Sequence, residues 1–420
     1  MIRKSKKEKN NQKSESKIRR IFVFDEEEDN SSKSTFSLLE VILIIFVSIF
    51  FGFVIGYIIT YSKMDIKVKE DSNVGEIVDA YKMIRDNYYG EFDIEKLKES
   101  AINGMLKSLD DPYSIYMNKE STSNFNDLTN GYFIGIGISV LYEEEYNRVV
   151  EVTKDYPADK VGVQVDDIIV KVDGVDCKGV YGQELSDLIR GEAGTKFTLT
   201  VLRDEKEIDF EITRGKIDID SVSGEVLESN IGYLKVSNIA SNTYDQFKEE
   251  LEKLEEEKIQ SLIIDVRNNP GGQIQQTREI LSLFFKKKTV LFQIEAKNKK
   301  EKIKSLNNTS RDYPIIVLIN HGSASAAEII ASCFQDNYSK AKIVGVTSYG
   351  KGTVQKNLSL SSGNSYKFTT QKWLTSKGKW VHEKGVEPDI SVEQEEEYYE
   401  NPTKETDAVL KKAIELLKES

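Results

Sequence analysis

Two cysteines and two histidines are all that the 420 residues contain. Cys177 and Cys333 stand far apart, in no CxxC pair and beside no spaced histidines, which excludes a disulfide framework and a zinc-type ligand set. His321 and His382 suffice for one Ser/His/Asp triad but cannot build a histidine-rich metal cluster, so neither a metal nor a cofactor is expected. Proline is scarce at six residues, and with 26 glycines this excludes collagen-like and fibrous compositions. Positive charge is in deficit: 58 Lys plus Arg face 70 Asp plus Glu, for a net charge of -12, which speaks against nucleic acid as a partner. Core-forming residues are plentiful. With 39% hydrophobic and 10% aromatic residues the chain can fill two or three domains, at about 100–200 residues each.

One apolar run is long. Val41 to Thr60 carries no charge over twenty residues, and at about 1.5 Å per helical residue it spans roughly the 30 Å hydrocarbon core. Nine basic side chains in the first twenty residues (Arg3, Lys4, Lys6, Lys7, Lys9, Lys13, Lys17, Arg19, Arg20) predict a cytoplasmic N-terminus and an extracytoplasmic remainder. The run exceeds a signal-peptide core and ends at TYSKMD without a small-x-small cleavage site, so a retained single-pass anchor in the cell membrane is expected. The acidic patch Asp25 to Asp29 reads as a solvated tail.

Composition then divides the chain into 1–40 (cytoplasmic tail), 41–60 (transmembrane helix), 74–129 (helical subdomain), 130–214 (mostly β), 215–395 (α/β) and 396–420 (C-terminal helix). Val74, Ile77, Val78, Tyr81, Ile84 and Tyr88, then Ile94, Leu97, Ala101 and Met105, recur at three- and four-residue steps and predict two amphipathic helices before the turn LDDPYSIYM. Short β-branched runs (FIGIGISV, RVVEV, DIIVKVDG, FTLTVLR) around one helical stretch, GQELSDLIR, predict a compact β module. Gly135, Ile136 and Gly137 could let backbone amides reach a peptide carboxylate at a sheet edge. The run from Tyr156 to Gly174 makes this module resemble PDZ domains. Beyond it, GYLKVSNI, SLIIDVR, PIIVLIN and AKIVGV alternate with helical stretches, as in an α/β layer whose strands are covered on both faces.

Three segments stand at the ends of those strands, where such layers collect function. In DVRNNPGG a strand breaks into a Pro-Gly-Gly turn that leaves amides free to bind an anion, though an ordinary strand-to-helix turn looks the same. In NHGSASAAE, Ser323 suits a helix cap, and Ser325 at the helix start is a candidate nucleophile. In TSYGKGTVQ, Lys351 can serve as a general base only if burial lowers its pKa from about 10.4, with Gln355 placed to orient the amine; a solvated lysine or a phosphate contact is the plainer reading. Either histidine could instead be the base. A nucleotide loop is disfavoured because GKGT lacks the GxxxxGK[ST] spacing.

In their order, with the PDZ-like insert ahead of them and VHEKGVEPDI behind, these segments resemble the carboxyl-terminal processing (tail-specific) proteases over residues 75–392. The resemblance implies an α/β protease core of crotonase/ClpP-like layers with an inserted PDZ domain, Ser325 as nucleophile, Lys351 as base and Gln355 as support. It further implies an oxyanion hole from the amides of Gly272 and Ala326, and peptide capture by Gly135, Ile136 and Gly137 with Arg190 sensing the bound tail. The expected partners are proteins bound through their C-termini, the membrane, and a second copy of the chain. Ala327 stands where many members have serine, and the Ser325-to-Lys351 interval carries one extra residue in QDNYSKAK; neither removes a dyad member. A membrane-tethered PDZ adaptor without activity is the alternative.

Overall fold

The computed structural model describes residues 37–70, 72–308 and 310–419. The basic and acidic stretches before residue 37, and the cytoplasmic tail expected of them, lie outside the described residues. The chain divides into two compact units, Met1–Ile94 and Glu95–Ser420, so the helical subdomain expected at 74–129 is split between them.

In the first unit, α1 (Leu38–Glu70) contains Leu39–Tyr57, 19 residues long and apolar enough to cross a membrane by length and composition. The helix α2 (Ser72–Asn87) follows the three- and four-residue spacing, but its apolar Val74, Ile77 and Ile84 are exposed rather than buried.

The second unit starts with α3 (Ile94–Lys107), β1 (Ile115–Met117) and α4 (Lys119–Thr129). The PDZ-like module follows: β2 (Tyr132–Gly135), β3 (Ile138–Glu143), β4 (Tyr146–Val152), α5 (Pro157–Val161), β5 (Ile168–Val172), β6 (Val175–Asp176), α6 (Gln183–Ile189), β7 (Lys196–Arg203), β8 (Lys206–Thr213) and β9 (Gly215–Asp218). Its sheet runs β3-β4-β5-β7-β8, which leaves β3 as an unpaired edge, while β2 pairs with β9 at the foot of the module. Val149, Ile169, Leu199, Val201 and Ile212 are fully buried between this sheet and its helices. The strand KEIDFEIT (β8) lies outside the β-branched runs named above, although its alternation of apolar and polar residues is the period of a half-buried strand.

The α/β region is built from β10 (Val222–Leu227), β11 (Ile231–Val236), α7 (Thr243–Glu256), β12 (Ser261–Asp265), α8 (Ile274–Ser282), β13 (Val290–Ala296), β14 (Lys299–Lys304), β15 (Ile315–Ile319), α9 (Ala326–Asn337), β16 (Ala341–Gly345), β17 (Thr353–Ser359), β18 (Ser365–Thr375), β19 (Ile390–Ser391), α10 (Glu396–Glu400) and α11 (Ala408–Lys418). One sheet has the order β10-β11-β12-β15-β16-β19, parallel from β11 to β19. Right-handed crossovers that always advance in one direction put their helices on the same face. That face carries Leu262, Ile264, Val317 and Ile343 against Phe247 of α7, Leu281 of α8 and Phe334 of α9. The alternate residues Ile263, Ile316, Leu318 and Val344 meet Val409, Leu410 and Ala413 of α11 on the other face. Every residue of SLIID and IIVLI is therefore buried, as a strand covered on both sides requires.

A second, antiparallel sheet (β1-β18-β13-β14, with β17 on β18) closes over the helices, and its Phe292 and Trp373 join the same core. The sequence reading assigned no strands there; KKEKIK and TVQKNLS are largely polar and carry no continuous apolar run. The result is a helical layer held between two sheets.

Candidate active site

The chain leaves β15 at Ile319, turns through Asn320 to Ala324, and begins α9 at Ala326 with Ser325 as its N-cap residue. Ser323 is not the cap that the sequence suggested. Its hydroxyl donates to the Val266 carbonyl at 2.7 Å and accepts from Asn320 N–H at 3.0 Å, fastening the turn to the end of β12. Ser325 takes φ 54° and ψ −110°, a region that costs a non-glycine residue about 1–3 kcal/mol and persists only where surroundings impose it.

Hydrogen bonds and close main-chain packing impose it here. The Ala324 N–H donates to Asn269 O at 2.9 Å, and the Ser325 N–H donates to Glu328 Oε2 at 2.7 Å. Gly271, at φ 96°, packs so closely that a Cβ there would lie 2.8 Å from Ser325 Cβ and 2.8 Å from Ala326 N. Gly272 is tighter still, with a Cβ falling 1.9 Å from the Ile239 carbonyl oxygen. The Pro-Gly-Gly turn therefore brings main chain against main chain, which only glycine allows. The Gly271 N–H is taken by the buried Asn269 Oδ1 at 2.8 Å. Those of Gly272 and Ala326 have no hydrogen-bond acceptor among the described residues.

The lysine loop is joined to this turn by one side chain. Glu328 is wholly buried in α9. Its Oε2 accepts from the N–H groups of Ser325 (2.7 Å) and Lys351 (2.8 Å), and its Oε1 from Ser348 Oγ (2.6 Å) and Gly350 N–H (2.7 Å). A buried carboxylate is tolerable when its lone pairs are satisfied this fully. Sequence reasoning passed over Glu328, although a Ser with Glu three residues on at a helix start is a recognisable capping pattern.

Lys351 is held through its backbone on both sides: its carbonyl accepts from Trp373 Nε1 at 2.7 Å, and that of Gly352 from Trp380 Nε1 at 3.1 Å. Its amine lies 4.5 Å from the centre of the Tyr113 ring, supplied by the LDDPYSIYM turn. Burial, reinforced by the charge of Lys367, holds the amine below the ordinary lysine value, against the opposing pull of Asp111 and Glu328. Gln355 is close by in sequence, but its amide donates to Thr353 Oγ1 (3.0 Å) and Thr369 Oγ1 (2.9 Å), and no hydrogen bond joins it to Lys351 among the described residues. His382 Nδ1 accepts from Gly352 N–H at 3.3 Å and its ring stacks on Trp380. His321 is exposed. It lines a cavity of about 780 Å³ between α11 and the strand ends, with Lys235, Asp265, Arg267 and Asp407; neither Ser325 nor Lys351 lines it.

In the PDZ-like module, Gly135 pairs with Gly215, while the Ile136 and Gly137 carbonyls accept from Ala158 (2.9 Å) and Thr153 (2.9 Å) at the head of the edge strand β3. Arg190 caps the C-terminus of α6 and is exposed. The Ile189 carbonyl beside it accepts from Arg214 Nε at 2.6 Å, and Arg214 directly precedes Gly215. The end of α6 and the strand carrying Gly135 thus meet at one corner. The module's link to the α/β region is short: the Thr129 carbonyl, just before β2, accepts from Ser241 N–H (3.0 Å) and from Nε2 of Gln273 (2.9 Å), the neighbour of Gly272.

Family models match three stretches: Peptidase family S41 at residues 230–392, a PDZ domain at 148–203, and an activating protease CtpB N-terminal domain at 59–121. The carboxy-terminal processing protease CtpA of Bacillus subtilis is 37% identical over 325 residues, 77% of this chain and 70% of its own length. A protein of Staphylococcus epidermidis, described as a probable CtpA-like serine protease, is 36% identical over 338 residues, 80% of this chain and 68% of its own. Among solved structures, the photosystem II D1 C-terminal processing protease aligns with TM-score 0.47 and 24% identity, over 76% of this chain and 86% of its own. A PDZ module set ahead of an S41 layer defines a class of serine peptidases. The chain belongs to that family as one of its carboxy-terminal processing proteases.

Proposed function

We propose that this enzyme is a membrane-anchored endopeptidase that captures protein C-termini on its PDZ domain and cuts near them with a Ser325–Lys351 dyad. The observation that carries the reading is the buried Glu328 carboxylate, which binds the main chains of both residues and so fixes two loops from separate strand ends relative to each other. A lysine whose pKa is lowered by burial can take the Ser325 hydroxyl proton as the oxygen bonds to the substrate carbonyl carbon. The resulting oxyanion is received by the free N–H groups of Gly272 and Ala326. Lys351 then returns the proton to the departing amine as the C–N bond breaks, and a water deprotonated by the same amine releases the acyl group from Ser325. Gln355 supports the strand beside the base through its two threonine hydrogen bonds.

The tail lies along the β3 edge as an added strand, its carboxylate on the turn of Gly135, Ile136 and Gly137, with Arg190 at the neighbouring corner. Leu39–Tyr57 anchors the chain in the cell membrane, with the catalytic unit outside the cytoplasm. The full-length protein in detergent micelles, given an unstructured polypeptide with an apolar C-terminus, should cut it near that end. Ser325→Ala and Lys351→Ala should each abolish the product seen by mass spectrometry while leaving the thermal transition in place. Wild-type cleavage by either variant would remove the dyad assignment.

A further inference from the structure

Beside the dyad, one cation has no use in the chemistry above. Lys367 on β18 faces Asn357 on β17, two residues along the ladder from the Thr369 and Gln355 pair, so all four side chains share a face. The helix α4 covers that face: Thr122 Oγ1 meets Ser365 Oγ at 2.9 Å, and Asn357 Nδ2 donates to Asn126 Oδ1 at 3.4 Å. The Lys367 amine stands 5.1 Å from the centre of the Phe125 ring and is half-buried, with no ion pair or hydrogen bond among the described residues. Next to it, the Asn357 Oδ1 is buried with no donor. An unpaired cation partly shielded from water is costly to keep unless something supplies its partner. The Lys367 charge is also felt at the Lys351 amine, so it lies within electrostatic reach of the base.

Resting on the dyad reading, we propose that Lys367 is a specificity-determining residue that pairs with a substrate carboxylate a few residues from the scissile bond. An extended peptide offers that group as an acidic side chain or as its terminal carboxylate. The two sources share one chemistry and are separable by experiment.

The test uses the full-length protein in micelles and one peptide series cut by it. Glu, Gln or Lys is placed at each of the three positions on either side of the cleaved bond, and every peptide is made with a free and with an amidated C-terminus. A charge-assisted hydrogen bond in a half-shielded site should favour the carboxylate about tenfold in kcat/KM. Lys367→Met should bring the Glu-to-Gln ratio to about one, Lys367→Glu should invert the preference toward Lys, and Lys367→Arg should keep it. Ratios are compared because each charge change also alters the basicity of Lys351 for all peptides alike. If amidation rather than Glu-to-Gln exchange costs the tenfold and Lys367→Met removes that cost, the carboxylate is the terminal one. Equal cleavage of all peptides by the wild type, or a preference unchanged in Lys367→Met, overturns the proposal. Absence of any Ser325-dependent cleavage overturns the dyad reading instead, and this assignment with it.

Discussion

Replacing Glu328 by Gln tests whether the two loops act as one unit. The carboxylate receives four donors, at 2.7 and 2.8 Å on Oε2 and 2.6 and 2.7 Å on Oε1. A glutamine amide can accept at one oxygen only. With its NH2 in place of Oε2, the N–H groups of Ser325 and Lys351 both lose their acceptor. With its NH2 in place of Oε1, Ser348 can turn its hydroxyl to accept, and only Gly350 N–H is orphaned. The second orientation is cheaper, yet it still forfeits one hydrogen bond to a charged group and strands one buried donor, about 2–4 kcal/mol in total. If that loss falls on docking of the lysine loop, kcat/KM drops about 30- to 1,000-fold at 1.4 kcal/mol per tenfold. The assay is kcat/KM on a single peptide, with the thermal transition measured beside it. Wild-type rates in Glu328→Gln would refute the claim that this carboxylate sets the geometry of Ser325 and Lys351.

Ser325→Gly should be inactive yet about 1 kcal/mol more stable than Ser325→Ala by chemical denaturation, since glycine accepts φ 54° and alanine does not; equal stabilities would mean that the turn holds no strain. On the proposed dyad the neutral amine of Lys351 is the active form, and its pKa is lowered, so kcat/KM should climb with pH and level off below the ordinary lysine value of 10.5. Lys367→Met removes a like charge and should move that limb to higher pH; a limb unmoved or moved downward in a pH–rate profile would contradict the stated cause. At the other face, Arg267 binds Asp265 and Asp407 with both arms of its guanidinium. Burial alone would raise the Asp407 pKa, but Arg267 overrides it and holds the carboxyl low. Its folded pKa lies below the unfolded one, so its contribution is present above about pH 4 and fades as pH falls through the folded value. Asp407→Ala should cost about 3–5 kcal/mol at pH 7, because it leaves a buried guanidinium half-paired; protease cutting ahead of α11 reports it, and an unchanged digestion pattern counts against it.

Much of this protein is written locally. Continuous apolar runs such as PIIVLIN announce strands buried on both faces, and the three- and four-residue spacing of α7 and α9 announces helices, because backbone period and burial act over a few residues. The glycines of DVRNNPGG and the Ser-x-x-Glu start of α9 likewise mark, within eight residues, where main chain must approach main chain and where a helix begins. Polar strands such as β14 and β17 carry no such mark. They become strands because β13 and β18, with Phe292 and Trp373 in the core, offer them a ladder.

What the sequence by itself determined is therefore the kinds of elements, their order and the residue types able to do the chemistry. Only the tertiary structure decided that a buried glutamate joins the serine turn to the lysine loop, that Tyr113 from a distant turn lies against the amine, and that Gly271 packs against the strained Ser325 backbone. Each of those depends on groups brought together from 20 to more than 200 positions away. Such contacts are set by how layers pack, and by which buried donors need acceptors once water is gone.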